Sequence, residues 1–138
     1  MTNREPFGPE LRVLVADDEP DVRLLLRLGL RHHSITVVEE ASDGQQVLDA
    51  CQEHEVDAIV LDLLMPKMNG FEVIPILQRD HPRIGIVAYT AVAGDFVRRE
   101  MARLGISLLL KSGDSGPLAE ALHAAAKANG AAEVQPHD

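Results

Sequence analysis

Four polar positions stand where apolar runs stop. Asp17 and Asp18 follow residues 11–16, Asp62 closes residues 57–62, Thr90 and Ala91 follow residues 84–89, and Lys111 follows residues 106–110. Three carboxylates brought to one place repel each other unless a cation sits among them. Hard oxygen ligands of this kind suit Mg²⁺, which takes one or two carboxylates together with waters and phosphate oxygens. A hydroxyl at Thr90 and an ammonium at Lys111 complement a phosphoryl group. A carboxylate that faces both is a candidate nucleophile for phosphoryl transfer. Asp62, on the middle strand, is that carboxylate. Taken singly, Asp17-Asp18 and Thr90 read as helix caps, Asp62 as a turn residue and Lys111 as a surface charge. Four together at strand ends are a sharper signal than any one of them.

The elements that must position these groups can be read from the apolar pattern. A short apolar run without alternation indicates a strand buried on both faces, as in a parallel sheet covered by helices. Strands are expected over 11–16, 35–41, 57–62, 84–89 and 106–110. The polar residues of 35–41 mark it as an edge. Helices are expected from Pro20 to about Arg31, over 45–54, from Asn69 or Gly70 through 71–80, over 95–104, and from Ser115 to about Ala128, where Asn129-Gly130 ends the last one. Pro20 suits a first helical turn with acidic residues ahead of it. Val22, Leu25, Leu26 and Leu30 form the apolar stripe of the first helix, and His32 and His33 are solvated at its end. Pro75 removes one backbone hydrogen bond from the third helix and should kink it. Gly105 caps the fourth. Five strands alternating with five helices give an α/β fold: a doubly wound five-stranded parallel sheet with right-handed crossovers. All strand carboxyl ends then share one edge, where open α/β sheets place their chemistry.

A length of 138 residues suits one domain, with residues 1–10 as a flexible lead-in, 11–128 as the folded unit and 129–138 as a tail or the start of a linker. Hydrophobic residues make up 46% and aromatics only 3%, so the core must be built from Leu, Val, Ile and Ala. A formal net charge of −9 argues against nucleic-acid or anionic-membrane binding by this segment. Cys51 is the single cysteine, which excludes an intrachain disulfide and fits a reducing compartment; it reads as a small apolar helix residue. No apolar stretch is long enough to span a bilayer, and the polar start lacks a signal-peptide core. A cytoplasmic location is the expectation.

The chain resembles the receiver domain of two-component response regulators. The resemblance rests on Asp17-Asp18, on Asp62-Leu63-Leu64-Met65-Pro66-Lys67-Met68-Asn69-Gly70, on Thr90-Ala91 and on Lys111, with Glu40-Ala41-Ser42-Asp43-Gly44 similar to the family's second strand and turn. It covers roughly residues 11–128. It implies a flavodoxin-like, CheY-like three-layer α/β/α fold with strand order 2-1-3-4-5. It also implies that Asp62 accepts a phosphoryl group from a sensor histidine kinase or phosphotransfer protein. Asp17, Asp18, Asp62 and the backbone carbonyl of Leu64 would bind Mg²⁺. Lys111 would hold the phosphate, aided by Thr90 and Ala91, and Thr90 would move toward it. The expected output is a change in the face formed by helix four, strand five and helix five, read by a downstream effector or a fused output domain. Such a domain catalyses only its own phosphorylation and dephosphorylation.

Departures from the family pattern accompany the resemblance. Leu108 replaces the usual aromatic three residues before the lysine, so coupling of threonine to aromatic cannot operate in its usual form. Ser112 replaces the proline after the lysine, often cis; a cis bond before a non-proline costs about 2.5–4 kcal/mol, so trans is expected. The segment from Gly105 to Lys111 looks one residue short, which bears on the end of helix four. Leu64 and Val92, two residues beyond Asp62 and Thr90, are apolar and cannot position a hydrolytic water, so a long-lived phospho-aspartate is expected.

Other readings compete. A haloacid-dehalogenase-like phosphatase would carry a second aspartate at position 64, which is leucine. A flavodoxin-like or nucleotide-binding protein would carry a Gly-rich phosphate loop after the first strand, where this chain is acidic. A pseudo-receiver would keep the fold and bind partners without phosphorylation, and the departures near Lys111 leave this open. Lys111-Ser112-Gly113 followed by an Ala-rich last helix is more similar to receivers attached to helix-turn-helix output domains, so the chain is either a stand-alone regulator or the receiver of a longer transcription regulator. Arg98, Arg99 and Arg103 fit a homodimer face on helix four or, equally well, a solvated helix surface.

Overall fold

The computed structural model describes residues 10–91 and 93–133. Five strands, β1 (Leu11–Ala16), β2 (Ile35–Ala41), β3 (Ala58–Leu61), β4 (Gly85–Thr90) and β5 (Ser107–Leu110), form one sheet in the order β2-β1-β3-β4-β5. Every pairing is parallel. The helices are α1 (Pro20–Leu30), α2 (Gly44–Glu53), α3 (Gly70–Asp80), α4 (Asp95–Leu104) and α5 (Ser115–Glu133), with a short 3₁₀ turn over Arg31–His33. The alternation of elements is that expected from the apolar runs, the edge position of β2 is that expected from its polar residues, and the strand order is the one the family resemblance implies.

Side chains alternate across the sheet and so build two apolar layers. Leu14, Ile59, Leu61, Ile86 and Ala88 pack with Val47 of α2, Val73, Ile74 and Leu77 of α3 and Met101 of α4. Val13, Val15, Val60, Val87 and Tyr89 pack with Leu26 and Leu30 of α1 and Leu118 and Leu122 of α5. β1, β3 and β4 are therefore covered on both faces, which is why their sequences are apolar without alternation. Cys51 is buried in the first layer, and burial pushes its thiol up to about 11, so it behaves as a packing residue.

Local chemistry sets the helix starts and stops. Asp43 caps α2 by accepting from the Gln46 N–H at 2.9 Å. Asn69 and Glu72 form a reciprocal capping box at α3 (3.0 and 2.9 Å). Gly105 closes α4 at φ 74°, ψ 27°, a left-handed conformation that glycine adopts without a Cβ penalty. At the opposite edge of the sheet Arg12 and Asp57 tie β1 to the start of β3. The Arg12 N–H donates to Asp57 Oδ2 at 2.8 Å, and its guanidinium donates to both carboxylate oxygens at 3.1 and 3.0 Å.

Three expectations are corrected. Leu25 is 66% exposed and is not part of the buried stripe of α1. Glu19 precedes α1 without a side-chain capping bond, so the acidic residues there do not cap it. α5 does not end at Asn129-Gly130 but continues to Glu133, because Asn129 Nδ2 donates to the carbonyls of Pro82 and Ile84 (3.2 and 3.1 Å) and so ties the last turns to the loop before β4. Pro75 lies inside α3 as read from the sequence, on an exposed position. The expected lead-in over residues 1–9 and the tail beyond residue 133 lie outside the described residues, as does Val92. Among the described residues, no helix is long and apolar enough to cross a membrane.

Candidate acidic pocket at the carboxyl edge of the sheet

The chain leaves β1, β3, β4 and β5 on the same edge, and the polar residues met there converge. Asp17 is 2% exposed. Its N–H donates to the Ala41 carbonyl at 2.9 Å, and its Oδ1 accepts from the Glu19 N–H at 2.9 Å. Asp62 is 5% exposed; its N–H donates to the Ala16 carbonyl at 2.9 Å, and its Oδ1 accepts from the Leu64 N–H at 3.2 Å. Both backbones are thus held as continuations of the sheet, which aims the carboxylates into one place. Carboxylate oxygens of Asp17, Asp18 and Asp62 all lie within 4.8 Å of one another, with Asp18 on the exposed side.

Lys111 enters from β5. Its N–H donates to the Thr90 carbonyl at 2.8 Å. Its ammonium lies 2.7 Å from Asp17 Oδ2 and 3.2 Å from Asp62 Oδ2. Thr90, 1% exposed, ends β4 beside β3 and β5, and Ala91 is exposed beyond it. Asp17, Asp18, Asp62 and Lys111 are therefore brought together, and Thr90 and Ala91 share their edge. The Leu64 side chain is exposed. Leu108 is partly buried against the layer of α2, α3 and α4.

The electrostatics follow from this crowding. Burial pushes the Asp62 carboxyl above its ordinary range and the charge of Asp17 adds to that, while the Leu64 N–H and Lys111 pull the other way. For Lys111, burial opposes the charged form, but contact with Asp17 and Asp62 outweighs it and raises the ammonium above its ordinary value. The contact of Lys111 with Asp17 Oδ2 is close enough for a strong ion pair yet not aligned as a hydrogen bond. That oxygen is buried, and its partner is the Lys111 ammonium in a charge contact at 2.7 Å. One ammonium among three carboxylates leaves the pocket short of positive charge.

Some supporting residues were not visible as such in the sequence. Arg23 of α1 donates to the Asp17 carbonyl at 2.7 Å and to Glu40 Oε1 at 2.9 Å, and Arg27 also pairs with Glu40. An arginine in the first turn of an amphipathic helix looks like any solvated charge. The loop after Asp62 is held by two backbone bonds, Gly70 N–H to Leu63 O (3.1 Å) and Gly44 N–H to Met68 O (2.7 Å). Lys67, at φ 65°, leans on Asp43 at 3.8 Å.

A family model described as the response regulator receiver domain matches residues 13–123. The chain belongs to this family. Among curated relatives, the receiver is 38% identical over 69 residues to response regulator GtcR of Aneurinibacillus migulanus, covering 50% of this chain and 28% of that protein. It is 37% identical over 79 residues to the transcriptional regulatory protein SrrA of Staphylococcus aureus, covering 57% of this chain and 32% of that protein. The receiver thus spans about a third or less of these two relatives. Among solved structures it superimposes on the non-phosphorylated receiver domain of the stress response regulator RcsB from Escherichia coli with a TM-score of 0.77 at 26% identity, covering 86% of this chain and 95% of that one. The receiver is a signalling domain of two-component systems, a family whose members partner with histidine kinases and effectors.

Proposed function

We propose that Asp62 is the phosphoacceptor of this receiver in a Mg²⁺-dependent reaction, with a phosphohistidine of a sensor histidine kinase or phosphotransfer protein as donor. The observation that carries this is the buried Asp62 carboxylate, held beside Lys111 and within 4.8 Å of the carboxylates of Asp17 and Asp18. Asp62 attacks phosphorus through a carboxylate oxygen. The P–N bond to the donor imidazole breaks, and the imidazole leaves with the bonding pair. Lys111 then exchanges its contact with Asp62 for the phosphoryl oxygens while keeping Asp17, so the new charge arrives where a cation already sits.

The residues present fit the metal. A buried Asp17 oxygen partnered only by the Lys111 ammonium, two neighbouring carboxylates and a charge deficit are the donor set of a hard divalent cation. Asp17, Asp18, Asp62 and the backbone carbonyl of Leu64 would hold it. When bound, Mg²⁺ neutralises carboxylate and phosphoryl charge and so lets the two anions approach. Thr90 and Ala91, at the end of the buried β4, are the groups that respond to a phosphoryl group on Asp62. With Leu108 in place of an aromatic, the response passes through the packing of β5 against α4 rather than through a ring.

The name of SrrA as a transcriptional regulatory protein favours a receiver that controls a fused output domain over one that works alone. A homodimer would use α4. Arg98 and Arg99 are exposed there, whereas Arg103 is turned onto Glu100 at 2.9 Å. A cytoplasmic location follows from this reading, since the kinase output it serves is intracellular. Incubation with acetyl phosphate followed by intact-mass measurement tests the function. One phosphoryl group gained only with Mg²⁺ and lost in Asp62→Asn supports it; no gain by the wild type contradicts it and favours a phosphorylation-independent interaction module.

A further inference from the structure

Tyr89 is the only tyrosine of the chain, and nothing in the proposed phosphoryl transfer uses it. Its ring is 4% exposed in the layer beneath α1 and α5. Its hydroxyl meets one residue twice. It donates to the Ser112 carbonyl at 3.0 Å and accepts from the Ser112 N–H at 3.2 Å. Ser112 directly follows Lys111. Lys111 itself is tied to the Thr90 carbonyl through its own N–H at 2.8 Å. Two neighbouring residues of β4 therefore hold two consecutive residues of this turn, Thr90 the Lys111 N–H and Tyr89 the backbone of Ser112.

The physical content of the clamp is rigidity. Ser112 and Gly113 are exposed and lie outside regular structure, so their backbone groups would otherwise go to water. A buried ring has few rotamers, and its hydroxyl must find partners because leaving it unbonded is costly. The clamp also requires an amide hydrogen at position 112. Proline has none, so a proline at 112 and this tyrosine clamp are alternative ways of fixing the same turn. The serine that departs from the family pattern is the residue the tyrosine needs.

We propose that Tyr89 is a positioning residue for Lys111, holding the start of the β5–α5 loop so that the ammonium stays between Asp17 and Asp62 and meets the incoming phosphoryl group. This rests on the phosphoacceptor reading of Asp62. The phosphoryl group forms its bond at Asp62; Tyr89 touches neither donor nor metal.

The test compares wild type, Tyr89→Phe, Lys111→Ala and the double variant for the rate of phosphorylation by acetyl phosphate at saturating Mg²⁺, followed over hours by intact mass. Mg²⁺ affinity is measured by calorimetry alongside. Tyr89→Phe is expected to slow phosphorylation roughly 10-fold, the scale of a modestly misplaced charged group, without weakening Mg²⁺ binding. In the Lys111→Ala background it is expected to have no further effect. Ser112→Pro, which removes one arm of the clamp, should make Tyr89→Phe less damaging than in the wild type. A Tyr89→Phe variant as fast as wild type overturns the proposal. So does an equal slowing in the Lys111→Ala background, or a parallel loss of Mg²⁺ affinity, since each would mark a general structural role. A wild type that takes no phosphoryl group overturns the phosphoacceptor reading and this proposal with it, and is distinguishable from the other results by the wild-type trace alone.

Discussion

The Lys111 ammonium lies 3.2 Å from Asp62 Oδ2, and the same nitrogen lies 2.7 Å from Asp17 Oδ2. One cation thus offsets two buried carboxylates, with Asp18 close by. Removing the lysine leaves that charge uncompensated. Lys111→Ala is expected to lower stability by about 1–3 kcal/mol without added metal, and millimolar Mg²⁺ should restore more stability to this variant than it adds to the wild type. Thermal melts with and without Mg²⁺ check this; a variant as stable as wild type without metal would show that the carboxylates do not depend on the ammonium.

The pH dependence has a definite sign. Burial, then the charge of Asp17, raises the Asp62 carboxyl, so ionising it costs stability in the folded state. That cost is absent below the ordinary carboxylate range, where the group is protonated folded or unfolded, and is fully present once pH exceeds its raised value. Asp62→Asn should therefore raise the melting temperature at pH 7, by an amount that shrinks as pH falls into the carboxylate range. Lys111 behaves oppositely in window. Burial opposes its charge but Asp17 and Asp62 raise it overall, so its contribution persists through neutral pH and is lost only as pH climbs through its raised value. Melting temperatures of the two proteins across pH 3 to 8, a range of about five units spanning the ordinary carboxylate pKa, measure the first effect; a constant difference would contradict it.

Gly44 links stability to the pocket loop. A Cβ there would sit 2.5 Å from the Met68 carbonyl oxygen, which accepts the Gly44 N–H at 2.7 Å. Gly44→Ala must push the segment after Asp62 away and should cost roughly 1–3 kcal/mol, with weaker Mg²⁺ binding because that segment carries Leu64. Gly105→Ala is the comparison: it meets no atoms but is strained at φ 74°, so it should lose about 1–2 kcal/mol and leave Mg²⁺ affinity unchanged. Calorimetry on both variants separates the two.

Leu64 sets the expected lifetime of the phosphorylated form. Its side chain is exposed next to the pocket and offers no group to hold a water. Leu64→Asn introduces one, so its phospho-aspartate should decay faster than that of the wild type after removal of donor. Intact-mass time courses decide; a wild type that loses phosphate faster than Leu64→Asn would contradict the expectation.

Much of this arrangement was legible in the chain itself, for identifiable reasons. Strands covered on both faces must be apolar throughout, so β1, β3 and β4 stood out, and the polar residues ending them had to share an edge. Asp17, Asp18, Asp62 and Lys111 could be gathered from that topology alone. What escaped were features set by partners distant in sequence. Leu25 fits the 3.6-residue pattern but faces solvent, since periodicity locates a stripe without fixing its width. Asn129 and Gly130 carry the local signature of a helix end, yet Asn129 is captured by the carbonyls of Pro82 and Ile84 and the helix runs on. Arg23 and Tyr89 act through backbone groups 6 and 23 positions away, a relation no local pattern encodes. Ser112 was legible as a departure, but its reason appears only beside Tyr89.

The identity of the atom that takes the phosphoryl group decides the mechanism. After acetyl phosphate treatment with Mg²⁺, borohydride reduces an acyl phosphate to the corresponding alcohol, and peptide sequencing by mass spectrometry locates it. Homoserine is expected at position 62 alone, absent without Mg²⁺ and absent in Asp62→Asn. Homoserine at position 17 or 18, or an unmodified chain under conditions that phosphorylate a control receiver, would contradict it.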